Sequence, residues 1–261
     1  MITLLSPAKK LNMDAYTGAV PVTRPRLMDE ARSLVGTAKA QTVGDLKRLM
    51  HLSDNLAKLN ADRFERFDAD NRAEGMKPAG FAFDGDVYWG LEAKSMSDDD
   101  LAFAQDRVRI LSGLYGLLRP MDEIQPYRLE MGTRLNTARG ANLYEFWGER
   151  IGEQLRADLD GHSDPTVLNL ASNEYFKAVR AKQLGHPVID VKFLEEKDGK
   201  ARPVQYYTKF GRGLFARWVV RNRIDRAADL RDFDAAGYKL SPERSSDTEL
   251  VFERPQPPKK K

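Results

Sequence analysis

The sequence has no cysteine among its 261 residues. That absence excludes disulfides, thiolate-bound metal, a cysteine nucleophile and thiol-based reduction or sensing of peroxide. Histidine is nearly as scarce. His51, His162 and His186 stand apart, with neither a second histidine at helical ligand spacing nor an HExxH arrangement, so a zinc hydrolase is not expected. No stretch approaches the roughly 18 apolar residues that span a bilayer, and the opening MITLLSPAKKLN lacks the basic leader of a secretory signal. The expectation is a cytoplasmic chain with no membrane partner. An excess of one charge is also missing: 42 Lys and Arg face 39 Asp and Glu, a net +3 that by itself argues for no polyanion.

What is present is 41% apolar residues, enough for one large domain or two small ones. Charge is unevenly placed: from Lys177 to Arg226 thirteen basic residues meet five acidic ones. Such a segment is either a polyanion-binding face or a set of solvated charges.

The apolar pattern predicts a first strand over Ile2–Leu5, stopped by Ser6-Pro7, then helices over 27–40 and 42–60, the second with Thr42 and Asp45 as a capping pair. A strand is expected over 81–88. Ser97-Asp98-Asp99-Asp100 reads first as the capped start of an amphipathic helix and only second as a metal cluster. Buried strands are expected at 109–112 and 166–171. Between them, Asn142 and Glu145 cap a helix over 143–159. Ser172 opens a further helix. Residues 188–194 and 201–208 read as a hairpin turning at Asp198-Gly199. A basic helix (210–223) follows, then strands at 238–240 and 248–253. With no repeat and no convincing linker, the fold expected is a single α+β (mixed α/β) domain over 1–254, leaving the tail 255–261, PQPPKKK, disordered.

Two kinds of constellation could carry chemistry. The run Leu49 to Leu59 has the apolar frame of a helix-hairpin-helix, in which a tight turn and a helix N-terminus meet a phosphate without reading base sequence. Ser53 stands where glycine is usual and Asp54 has the wrong sign, so the motif taken alone favours an ordinary helical hairpin packing its leucines. Lys47, Arg48 and Lys58 would supply countercharge, with Ser53 and Asn55 at the turn. The second kind gathers at predicted strand ends, where α/β proteins bind ligands. There Lys9, Arg119 and Arg128 are candidates to hold phosphate, Tyr88, Tyr115 and Tyr127 to stack on bases, and Asp86, Glu130 or Glu174 to act as acid or base. Turn geometry and core packing explain the same glycines and tyrosines. Lys9, in a partly closed pocket, would be an amine nucleophile toward an abasic sugar.

SPAKKLN at Ser6, FDGDVYWGL at Phe83, RILSGLYGLLRPMDEIQPYRLEMGTRL at Arg109, LYEFWG at Leu143, LNLASNEYFKAV at Leu168 and ELVF at Glu249 resemble the YaaA family of bacterial peroxide-stress proteins. The likeness runs from Met1 to about Arg254. It implies a cytoplasmic protein induced by hydrogen peroxide that limits oxidative damage and is linked to unincorporated iron. It also implies a single mixed fold of unusual topology with a helix-hairpin-helix and a basic cleft for double-stranded DNA. On that basis Lys47, Arg48, Ser53, Asn55 and Lys58 become the expected DNA contacts, with Lys209, Arg212, Arg217, Arg221 and Arg223 of the basic helix as a second wall. The scattered carboxylates and histidines form no recognisable ferrous site, so the iron effect is expected to be indirect, with no metal, no cofactor and no obligate protein partner. The competing expectation is a nucleobase- or damaged-DNA-processing enzyme of glycosylase or lyase type, worked by Lys9, Asp86, Arg128 and Glu130.

Overall fold

A computed structural model describes residues 1–70 and 72–258. The first half runs β1 (Ile2–Leu5), α1 (Met28–Lys39), α2 (Val43–Met50), α3 (Asp54–Glu65), β2 (Lys77–Pro78), α4 (Ala79–Ala82), α5 (Asp86–Leu91), α6 (Asp98–Arg107), β3 (Val108–Ser112), β4 (Gly116–Leu118) and β5 (Glu123–Ile124). The second half runs α7 (Leu143–Trp147), α8 (Arg150–Leu159), β6 (Val167–Asn169), α9 (Asn173–Phe176), α10 (Ala181–Leu184), β7 (Val188–Lys197), β8 (Lys200–Arg202), α11 (Gln205–Arg221), β9 (Lys239–Leu240) and β10 (Glu249–Pro255).

An eight-stranded sheet of order β4-β3-β1-β6-β7-β10-β9, with β8 on β7, forms the centre of the described residues. Strands β3, β1, β6, β7 and β10 are parallel, while β4, β8 and β9 add antiparallel pairs. Central parallel strands are covered on both faces and so read as continuous apolar runs. ITLL of β1 and VRILS of β3 are buried throughout, in register Leu5 to Ile110. One residue of β3 is an arginine, and the core accommodates Arg109 only because Asp158 of α8 meets it at 2.5 Å with both side chains 3% exposed. Burial holds the guanidinium below its ordinary pKa.

The helix caps follow the sequence signals. Thr42 and Asp45 make a reciprocal capping box on α2, and Ser97 and Asp100 make one on α6, so the acidic run at 98–100 starts a helix. Five expectations change. The helix expected over 42–60 divides at His51, which takes a left-handed φ of 52° so that Leu52 is buried and Ser53 can cap α3. The strand expected over 81–88 becomes α4 and α5, leaving a single bridge between Phe83 and Leu11. The helix over 143–159 breaks at Gly148, where φ is +54°. The second hairpin strand stops at Arg202 because Pro203 lacks the N–H that the ladder needs. Strand β10 continues through Pro255, and Gln256 N–H donates to the Glu196 carbonyl, so ordered pairing passes the expected domain end at 254. Lys259–Lys261 of the expected tail lie outside the described residues.

Helix α11 buries Phe215, Ala216, Val219 and Val220 and crosses α5 at Gly90 and Gly213. A Cβ at Gly213 would strike the Val87 carbonyl oxygen, and one at Gly90 would strike that of Phe210, so the two backbones touch. This crossing determines where the basic residues of α11 point.

Candidate functional site

From β1 the chain continues to β3 on one side, and the strands from β6 onward build the other side, so the topology switches beside β1. Crevices open at the carboxyl ends of strands at such a point. The loop after β1 is tied to the loop after β6: Ser172 N–H donates to Ser6 Oγ at 2.9 Å, and Tyr88 Oη donates to the Ser6 carbonyl at 3.0 Å. After β3, Ser112 Oγ accepts the N–H groups of Leu114 and Tyr115 and shares a 2.7 Å hydrogen bond with Tyr127 Oη. That bond holds in place the loop bearing Arg128 and Glu130. Glu174, after β6, accepts Gly132 N–H at 2.9 Å and anchors the far end of the same loop.

These loops and the end of α2 enclose an open cavity of about 780 Å³, lined by Lys9, Arg48, His51, Arg128, Glu130, Arg134 and Glu174 among others. Glu130 Oε1 lies 3.4 Å from Lys9 Nζ and 3.0 Å from an Arg128 nitrogen. Its Oε2 is buried with no hydrogen-bond partner among the described residues. Arg48 pairs with Asp45 on its own helix. Among the described residues, Arg134 is exposed and forms no ion pair. The cations lining the cavity come from three separate chain segments, and of them Lys9, Arg48 and Arg128 are each paired with a carboxylate.

Lys9, Arg128 and Glu130 thus come together as the sequence suggested, whereas Asp86 lies elsewhere, 3.7 Å from Lys209 where α5 meets α11. The Lys9 side chain is 70% exposed, which is not the enclosed setting that the amine-nucleophile reading required. Tyr88, Tyr115 and Tyr127 are core residues with engaged hydroxyls, and burial pushes all three phenols above their ordinary pKa, so none offers a face to a base. Arg119 closes on Asp122 at 2.8 Å and on the Arg24 carbonyl. Trp89, 51% accessible, and Tyr206, 47% accessible, are exposed aromatic rings; the strand expected over 81–88 stops just before Trp89, and the sequence reading gave neither ring a role. Arg134 was missed although it lies within the quoted GTRL block, and His51 was considered only as a metal ligand.

Around the α2–α3 turn, Ser53 Oγ accepts Leu56 N–H at 3.4 Å with an ordinary φ of −69°; the left-handed residue is His51, two positions earlier. Lys47 Nζ meets Asp54 at 2.7 Å, and this hydrogen bond holds the Asp54 carboxyl below its ordinary pKa. Asn55 and Lys58 are exposed. On α11, Arg217 pairs with Glu92 and Arg221 donates to the Ser95 carbonyl at 3.0 Å, while Arg223, just past the helix end, meets Asp100 at 2.7 Å. Arg212 Nε is buried without a hydrogen-bond partner among the described residues, and burial lowers that guanidinium's pKa. None of these α11 residues lines the main cavity.

Among the described residues no three His, Asp or Glu gather as a metal site, and no helix is long and apolar enough to cross a membrane. A family model described as peroxide stress protein YaaA matches residues 1–244. A UPF0246 protein of Phenylobacterium zucineum is 53% identical over 258 residues, covering 99% of this chain and 96% of the relative. UPF0246 proteins of Maricaulis maris and Caulobacter vibrioides are each 50% identical over 257 residues, covering 98% of this chain and 97% and 100% of the relatives. Matched over nearly its whole length, the chain belongs to the peroxide stress protein YaaA family.

Proposed function

We propose that the protein serves the response to peroxide stress by holding DNA in the strand-end cavity, chiefly through phosphates and without base readout. The observation that carries this reading is the convergence of Lys9, Arg48, Arg128 and Arg134 from three chain segments on one open cavity. Phosphate contacts of this kind position a protein on DNA and carry no sequence information. The turn after α2 lies at the rim, since His51 lines the cavity. In this reading α2 and α3 act as a helix-hairpin-helix: Ser53 caps α3, Lys47 neutralises Asp54, and Asn55 and Lys58 flank the helix end that faces the phosphate. Three carboxylates in the cavity, Asp45, Glu130 and Glu174, reduce its net charge, so few phosphates are neutralised and the salt slope is shallow. Lys10, the residue after Lys9, leads to Trp89: Lys10 Nζ meets Asp84 Oδ2 at 2.6 Å, and Trp89 Nε1 donates to Asp84 Oδ1 at 2.7 Å. The exposed indole is a stacking surface for a base of distorted DNA. Protection of DNA would follow from occupancy, and the bearing on intracellular iron would be indirect.

The test is fluorescence anisotropy with a labelled duplex at rising salt. The expected result is log K falling by about 0.9 for each phosphate contacted, similarly for unrelated sequences. Affinity that stays constant between low and moderate salt would overturn the reading.

A further inference from the structure

On the other side of the β1 loop, Lys77 of β2 is 3% exposed. Its Nζ donates to Asn12 Oδ1 at 2.6 Å, a neutral partner that also accepts Asp14 N–H at 3.0 Å. Among the described residues no carboxylate comes within 4 Å of this ammonium. Burial and the nearby Lys94 hold its pKa below the ordinary lysine value, although Asp14 and Asp84, neither in contact with the ammonium, pull the other way. An ammonium removed from water without a counter-ion is costly, and one neutral hydrogen bond satisfies only one of its three donors.

Lys77 borders a cavity of about 370 Å³ that is separate from the DNA cleft and shares no lining residue with it. Its apolar lining includes Phe81, Met96 and Leu101, and the Tyr16 ring packs on Phe81 at 4.9 Å between centroids. Lys94 lines the same cavity and is exposed. The other charged groups there, Asp14 and Asp98, are both exposed, so water screens them while Lys77 remains buried. The lining thus mixes apolar side chains with charged ones, and a few placed polar groups beside an apolar wall are what orient a small molecule in its site.

We infer that this cavity binds a small organic anion with an apolar body, whose carboxylate or phosphate is the missing counter-ion of Lys77. The body rests on Phe81, Met96 and Leu101, and Lys94 takes the outer oxygens. Asn12 already both donates and accepts, so recognition rests on charge and shape.

The test uses the full chain with benzoate, phenyl phosphate and neutral benzamide at equal ionic strength, read by thermal midpoint and calorimetric titration. Saturable stabilisation by benzoate or phenyl phosphate, absent with benzamide, is expected, and the better of the two anions identifies the headgroup. Lys77→Met should abolish the response while folding at least as stably as the parent, since it removes an uncompensated buried charge. Lys77→Gln serves as the second variant, with the same loss expected. Arg134→Ala, in the DNA cleft, should leave the response unchanged. Equal effects of benzamide and benzoate, a full response in either Lys77 variant, or loss of the response in Arg134→Ala would each overturn the assignment.

Discussion

The molecule has two concentrations of basic residues, and they differ in what surrounds them. Helix α11 carries Lys209, Arg212, Arg217 and Arg221 in a segment with a strong local excess of positive charge. In the fold that charge is largely spent: Asp86 and Glu92 of the α5 segment and Asp100 of α6 face it, and Arg212 is partly buried. The cations at the strand ends come from stretches with no such excess, yet four of them share one cavity, and Arg134 forms no ion pair among the described residues. Charge density along a sequence is therefore a poor guide to charge available to a ligand. What matters is which acids the tertiary structure places opposite each base.

The strongest way to break this comparison is to remove one group at a time. Replacing Lys9, Arg48, Arg128 and Arg134 together by alanine should weaken duplex binding by about 10³-fold at low salt and flatten the salt slope, as measured by anisotropy. Next in size is the α5–α11 crossing. Gly213→Ala drives a Cβ into the Val87 carbonyl and should cost about 1–3 kcal/mol in urea unfolding, while the folded fraction still binds DNA as the parent does. Trp89→Ala should abolish any preference for a duplex with an unpaired base, an effect of about fivefold or more, and leave matched-duplex affinity intact. Lys209→Ala, Arg217→Ala and Arg221→Ala combined should reduce DNA affinity less than about threefold, each lost surface pair costing at most about 1 kcal/mol of stability. If this triple variant weakened binding as much as the cleft variant, the roles of the two groups would be reversed.

The smallest effect is a pH dependence at Asp84, beside Trp89. Hydrogen bonds from Lys10 and Trp89 hold the Asp84 carboxyl below its ordinary 3.8. A depressed carboxylate pKa contributes stability that is present above 3.8 and is lost as pH falls through the folded value. Trp89 emission, taken as the difference between the parent and Trp89→Phe, should therefore be flat from about pH 7 to about pH 5. It should change only in more acid solution. A transition near neutrality would mean that the indole is held by something other than this bond.

Local features were legible where a few neighbouring residues decide the outcome. The capping pairs at Thr42 and Ser97, the apolar strand at Ile2–Leu5 and the turn at Asp198-Gly199 all have their causes within about four residues. Where the cause lies far away, the pattern misled. Residues 81–88 alternate like a strand, but Phe83 finds only one bridge partner, and the helices on either side pack against distant parts of the chain. Arg109 reads as one polar residue in a strand, and only Asp158, 49 positions later, makes its burial tolerable. Of the candidate site, Lys9, Arg128 and Glu130 were legible because strand ends converge in any parallel sheet. Asp86 was drawn away by Lys209, while Arg134 and Trp89 gave no signal that distinguishes them from ordinary surface residues.

By itself, then, the sequence determined the chemistry that is excluded, the family, and the short-range geometry of caps, turns and central strands. The absence of a thiol rules out cysteine redox whatever the fold, because no arrangement supplies a missing atom. Tertiary structure alone decided which charges remain available. The energy of an ion depends on the groups within a few ångströms of it, and those groups come from elements that the sequence order keeps apart. The chain therefore presents its most basic helix as a packed surface and four scattered cations as the lining of one open cavity.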